Sequence, residues 1–240
     1  MRDPDRPSFA RAAGRLLTFR LSRDDLARLD GRHLALGLAC TWLVGVGRTW
    51  DDPVASAWRK TGLGSAVYAI LLSAFLWIVV APLRRPDELR LSYAKLLTVI
   101  TMTAPPAALY AIPVERFTSM PVAIQVNLGF LSVVAGWRVA LLVHYLRRGV
   151  GLRWPAVITA TLLPLALIVT GLTYFNLATG VIEIMGGLRD RAKSPDDGVN
   201  GVLLALALLS HFAVGPLLVV YGVLVVKARW WRGGARRRNR

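Results

Sequence analysis

The chain is poor in the residues that do chemistry. Among its 240 residues are one cysteine and three histidines. A single thiol, Cys40, excludes an intrachain disulfide and a cysteine-based metal centre. Lying inside an apolar segment, Cys40 reads as a small packing residue. His33 and His144 fall near one end of their apolar segments. His211 falls roughly half a membrane away, so the three cannot share one metal. The H-E-x-x-H, G-x-S-x-G and Walker signatures are absent. Ser210 and His211 are helix neighbours whose side chains diverge by about 100°, so they cannot pair as nucleophile and base. Acidic residues are also scarce, 14 against 30 basic ones. Asp51-Asp52 and Asp196-Asp197 read as capped, solvated turns. These scarcities point away from an enzyme, and no cofactor or metal is expected.

Apolar sequence is plentiful. Hydrophobic residues make up 55% of the chain, and the mean hydropathy is +0.48. A soluble domain of this length could not bury so much apolar sequence. The charges cluster between long apolar stretches, as a bilayer requires. The expected fold is all-α: a polytopic transmembrane helical bundle of about six spans, preceded by an amphipathic interfacial helix. Three parts follow from the charge pattern. Residues 1–32 form a cytoplasmic or interfacial segment, residues 33–226 the six-helix membrane domain, and residues 227–240 a basic cytoplasmic tail.

In the first segment Phe9, Ala13, Leu16 and Phe19 recur at helical spacing, with Arg11, Arg15 and Ser22 on another face. Ser22 and Asp25 form a capping signal for a second short helix bearing Leu26 and Leu29. With five aspartates (Asp3, Asp5, Asp24, Asp25 and Asp30), this segment is too polar for a cleavable signal peptide. Span 1 runs from about Leu34 to Gly47, with Gly37, Thr41 and Gly45 making a smooth contact face. Span 2 runs from about Thr61 to Leu83, with Gly62 and Ala66 on a similar face. Span 3 runs from about Leu91 to Val114 and holds Pro105, Pro106 and Pro113. Span 4 runs from about Pro121 to Leu146, span 5 from about Trp154 to Ile182, and span 6 from about Val199 to Val226.

Six spans put the N-terminus, the loops 84–95 and 147–153, and the tail on one side. Their Lys plus Arg counts are 8, 4, 3 and 7, or 22 in all, against 7 in the loops 48–60, 115–119 and 183–198. Basic residues collect on the cytoplasmic side, so both termini are expected there, in the inner (cytoplasmic) membrane. The partners expected are the lipid bilayer itself and anionic lipids at the tail, where each basic residue contributes about 1 kcal/mol. Other membrane proteins or a cytoplasmic ATPase are further candidates. Despite a net charge of +16, nucleic acid is not expected, because the basic residues follow the topology.

One charge lies inside a span. Arg138 sits eight residues before Leu146, about 12 Å along the helix. Such an arginine costs roughly 2.5–3.5 kcal/mol at mid-membrane and less if it reaches the headgroups. The alternative to that reach is a polar cavity. Pro105, Pro106, Pro164 and Pro216 each free a carbonyl one turn earlier, and those carbonyls, His211 or an anionic group are the available partners for Arg138. Near the other face, Glu115-Arg116 reads as a charged cap on a tight connection, with Gln125, Asn127, Asn176 and Glu183 at similar depth.

The segment Leu91-Ser92-Tyr93-Ala94-Lys95-Leu96-Leu97, entering a span broken by Pro105, and the following Val133-Val134-Ala135-Gly136-Trp137 helix resemble bacterial Yip1-type polytopic membrane proteins. The resemblance covers about two-thirds of the chain and implies a membrane helical bundle, usually of five spans, without assigned catalytic residues. The architecture also looks like the membrane half of some ABC exporters, which would imply an ATPase partner. The first functional expectation is a non-enzymatic membrane scaffold or accessory component. The second is a transporter or ABC-type permease subunit for a small, anionic or lipid substrate.

Overall fold

The computed structural model describes residues 7–50, 56–84, 92–175 and 197–238. All regular elements among these residues are helical. Two short helices, α1 (Phe9–Leu17) and α2 (Arg23–Arg28), lead into α3 (Gly31–Thr49). A single turn, α4 (Ala57–Lys60), precedes α5 (Leu63–Val80), which tightens into a 3₁₀ turn at Ala81–Leu83. Then come α6 (Tyr93–Met102) and two 3₁₀ segments, Pro105–Ala111 and Val114–Arg116. The long α7 (Met120–His144) widens into a π turn at Tyr145–Val150. Two further helices among the described residues, α8 (Trp154–Tyr174) and α9 (Asp197–Arg238), follow.

Among the described residues, four helices are long and apolar enough to cross a membrane: Leu63–Leu83, Pro121–Val150, Trp154–Tyr174 and Leu204–Trp230. They overlap expected spans 2, 4, 5 and 6, of which residues 176–182 of span 5 lie outside the described residues. The other two expected spans differ for identifiable reasons. In α3, 19 residues long, apolar character is diluted by Arg32, His33, Arg48 and four glycines. Expected span 3 is not one helix, because α6 stops at Met102 and the chain tightens at Pro105-Pro106. By contrast Pro164 and Pro216 lie within continuous helices. The last helix has 42 residues, so it extends roughly 63 Å. It therefore runs unbroken from its apolar stretch through the basic residues after Lys227.

Close backbone approach organises the middle of the bundle. Helix α3 packs on α5, α6 and the Pro105–Ala111 segment. Its buried stripe is Gly37, Thr41, Gly45 and Thr49, four residues apart and therefore on one face. A Cβ at Gly37 would lie 2.5 Å from Thr101 Oγ1, and one at Gly45 2.6 Å from the Gly62 carbonyl oxygen. Both hydroxyls of the stripe are satisfied by backbone: Thr41 donates to the Gly37 carbonyl of its own helix at 2.9 Å, and Thr49 to the Arg59 carbonyl of α4 at 3.2 Å. Gly62 begins α5 in the left-handed region, at φ 71°, which a side chain would resist.

The second core joins the N-terminal arm to the bundle. Ala12, Ala13 and Leu16 of α1 share one buried cluster with Val80, Leu96, Val99, Tyr145, Leu146 and Leu152, while Arg11 and Arg15 are exposed. The apolar face of α1 thus rests on protein. Polar contacts fix the arm there: Arg23 Nε donates to the Arg148 carbonyl at 2.9 Å and Lys95 Nζ to the Ala27 carbonyl at 3.3 Å. Ser22 and Asp25 form the reciprocal cap of α2, and Arg15 bonds the same carboxylate at 2.7 Å. Burial pushes the Asp25 carboxyl up, but the Ser22 amide and hydroxyl and the Arg15 guanidinium outweigh it, leaving it below the ordinary 3.8.

A lowered carboxyl pKa contributes stability that is fully present above the unfolded value and is lost as pH falls through the folded one. Docking of the arm is therefore expected to be constant above about pH 4 and to weaken below 3.8. Asp25→Asn should loosen it at neutral pH by about 1 kcal/mol, the worth of a lost cap. A fluorophore at Thr18→Cys, with Cys40 replaced, reads this as increased mobility. An equally immobile label in Asp25→Asn would count against the clamp.

Candidate arginine site

Arg138 is half-buried on α7, and the helix break opposite supplies its partner. Beyond Met102 the backbone bonds shorten: the Ala104 amide reaches the Thr101 carbonyl at 3.1 Å, and the Ala107 amide reaches Ala104 at 2.9 Å. In 3₁₀ geometry the donor to the Thr103 carbonyl would be residue 106. That residue is Pro106, which has no N–H. The orphaned Thr103 carbonyl accepts instead from Arg138 Nε, at 3.3 Å. A missing backbone donor on one element is thus matched by a guanidinium from another.

A second arginine stands beside the first. Arg48, in the last turn of α3, places its guanidinium 4.8 Å from the ring centroid of Tyr110. Tyr110 belongs to the Pro105–Ala111 segment. Trp50 Nε1 donates to the Ala111 carbonyl at 3.1 Å, tying the end of α3 to that segment. Arg48 and Arg138 lie within electrostatic range of each other, and Tyr110 and Tyr68 within range of both. Arg48 Nε is buried and has no hydrogen-bond partner among the described residues. The carboxylates whose side chains are described, Asp24, Asp25 and Asp30, all lie on the N-terminal arm or at the start of α3. Two arginines therefore flank the break after α6, Arg138 on the Thr103 carbonyl and Arg48 over the Tyr110 ring, with no carboxylate among the described side chains beside them.

Of the residues singled out from the sequence, the structure brings Arg138, Pro105 and Pro106 together. Pro164 is buried in α8, on the face formed by Ala160, Leu163 and Ala166. His211 and Pro216 are exposed on α9, which packs along α8, and no hydrogen bond links either to Arg138 among the described residues. His144 is at the far end of α7, where its ring meets Phe19 edge-on at 5.7 Å. His33 bonds Asp30 at 2.8 Å and the Pro7 carbonyl at 3.2 Å. Asp51, Asp52, Asn176, Glu183 and Asp196 lie outside the described residues, as do the side chains of Glu115 and Asp197. Among the described residues no group of His, Cys, Asp and Glu could hold a metal ion.

Arg48 is the member that sequence reading missed, because the loop was expected to begin at residue 48. The signal was the four-residue repeat Gly37, Thr41, Gly45. Continued once, it reaches Thr49, which is also buried, so the helix runs on through Arg48. No protein-family model matches the chain, no curated protein matches it, and no solved structure matches it.

Proposed function

We propose that the chain is a six-span protein of the cytoplasmic membrane, with both termini on the cytoplasmic side, acting as a non-enzymatic scaffold or accessory component. The observation behind this reading is the outward face of α7 and α9. On α9, Phe212, Leu209 and Val219 are 78%, 68% and 68% exposed, and the helix has α8 as its main neighbour. Such faces suit lipid and the apolar helices of other membrane proteins. The count of six adds α3 and the broken α6 segment to the four apolar helices. At 19 residues, α3 is about 28 Å long, close to the roughly 30 Å hydrocarbon thickness. The excess of 22 basic residues against 7 supports the orientation. Within this reading α1 is the amphipathic interfacial helix, its buried face on the bundle and Arg11 and Arg15 toward the headgroups. The basic end of α9 attaches to anionic lipid.

A second reading, a permease subunit for a small, anionic or lipid substrate, draws support from the broken α6 segment beside Arg138. Irregular backbone at membrane depth is tolerated where it is buried in protein or lines a polar path. A Yip1-type assignment rests on residues 91–97 and 133–137.

Reporters active only inside or only outside, fused to each terminus, are expected to give inside signals at both. An outside signal at either end sinks the six-span topology. Extraction in mild detergent separates the two roles. Co-purification of integral membrane partners without an ATPase supports the accessory role, and a stoichiometric ATPase favours the permease.

A further inference from the structure

We propose that Arg48 and Arg138, with Tyr110 between α3 and α7, form a binding site for a phosphate group. This goes beyond the accessory role and does not depend on it. Three independent features converge. The two arginines come from different elements, α3 and α7, and flank one helix break: Arg138 bonds the Thr103 carbonyl before the Pro105–Ala111 segment, and Arg48 stacks on Tyr110 within it. Each is already partly oriented by a contact that leaves donors free. Arg138 uses Nε on the Thr103 carbonyl, and Arg48 lies over the Tyr110 ring. Arg48 Nε is a buried donor with no hydrogen-bond partner among the described residues.

The chemistry of the ligand follows from the donors. A guanidinium presents a planar fork of N–H groups and stays charged even when desolvated, which suits the oxygens of a phosphate. Two such forks match a group with three or more acceptor oxygens and up to two negative charges. A metal cation is excluded by the same pair of positive charges. Tyr110 adds a ring that holds the Arg48 guanidinium in place, as aromatic faces do for cations. Tyr68, on α5, is the other polar group within range of both arginines. The phosphate could belong to a lipid headgroup entering from the bilayer or to a free anion, and binding measurements can separate these sources.

The full chain is purified and reconstituted in nanodiscs of phosphatidylcholine alone or with phosphatidylglycerol. Thermal unfolding is followed as inorganic phosphate is titrated, and retained phospholipid is read by native mass spectrometry. Saturable stabilisation by inorganic phosphate in phosphatidylcholine discs identifies a free anion. Stabilisation only by phosphatidylglycerol, with a retained phospholipid, identifies a headgroup. Either result supports the site if Arg48→Gln and Arg138→Gln each weaken the response at least tenfold, while Arg59→Gln, on the exposed turn α4, leaves it unchanged. The site is overturned if the wild-type protein shows neither response, or if both arginine variants respond as the wild type does. Should either variant elute as an aggregate, Tyr110→Leu replaces it. Removing the ring that orients Arg48 is expected to weaken the response several-fold, and an unchanged response again overturns the site.

Discussion

A Gly45→Val protein is expected to insert into the membrane but to lose most of its thermal stability. The valine Cβ would lie 2.6 Å from the Gly62 carbonyl oxygen and 2.8 Å from Ser65 Cβ. Neither neighbour can yield cheaply. The Gly62 carbonyl is backbone, and that residue is held at φ 71° as the start of α5. Overpacking a core usually costs 1–3 kcal/mol when side chains can shift. Here a backbone must move and α3 must separate from α5, so about 3 kcal/mol or more is expected. Gly37→Ala is the milder companion. Its Cβ would meet the Thr101 hydroxyl at 2.5 Å and the Thr101 Cβ at 3.1 Å, so the hydroxyl must leave the Leu97 and Thr98 carbonyls, but no backbone atom lies as close as at Gly45. Gly64→Ala is the control, since a Cβ there meets nothing within 4 Å. It should be neutral or gain up to about 1 kcal/mol from helix propensity. Size-exclusion profiles after heating rank the three. If Gly45→Val matches Gly64→Ala, the α3–α5 contact does not hold the bundle together.

The contact stripe on α3 was legible because small residues at a spacing of four have few other uses in an apolar helix. The α2 cap was legible for a similar reason: Ser22 and Asp25 satisfy backbone donors that are orphaned at every helix start. The packing of α1 was not. An apolar face at Ala12, Ala13 and Leu16 has the same periodicity whether it lies on lipid or on protein. Only the position of Leu96 and Leu146, distant in the chain, decides between them. The break after Met102 was signalled by Pro105-Pro106. Which carbonyl it would free, and which side chain would find it, depended on a switch from α to 3₁₀ bonding. Proline counting alone suggests the α partner one turn back. The structure uses Thr103, the 3₁₀ partner of Pro106.

The same limit explains the arginine pair. Arg138 announced itself as a charge within an apolar run, and its cost could be estimated from depth alone. Arg48 carried no such mark, because a charge following Gly45-Val46-Gly47 reads as the first residue of a loop. Its importance comes from stacking on Tyr110, just beyond the helix break whose Thr103 carbonyl Arg138 bonds, a relation among three elements that no local pattern encodes. His211 shows the converse. It looked like a partner because it is polar inside an apolar span, yet it is exposed on α9. A residue's polarity was readable, but the face it occupies in the bundle was not.

The arginine pair also sets stability against binding, and Arg48→Met should expose that conflict. Replacing buried charges by apolar side chains of similar length is often stabilising by 1–4 kcal/mol, because desolvation is relieved. The wild-type side chain loses little in exchange. Its Nε makes no hydrogen bond among the described residues, and the stacking on Tyr110 contributes about 0.5–2 kcal/mol. Removing Arg48 also removes a like charge within electrostatic range of Arg138. In phosphate-free buffer Arg48→Met is therefore expected to be more stable than wild type by about 1–3 kcal/mol, read as a higher unfolding midpoint. Arg138→Met should not share this gain. It surrenders a charge-assisted hydrogen bond worth about 1.5–3 kcal/mol and leaves the Thr103 carbonyl without a donor. The asymmetry between the two variants is the diagnostic quantity. A stabilised Arg48→Met beside an unchanged or weakened Arg138→Met means that the chain keeps Arg48 at a cost to its own fold, as functional sites commonly do. A destabilised Arg48→Met would instead mean that its charge is already compensated within the protein, and the two arginines would then be structural.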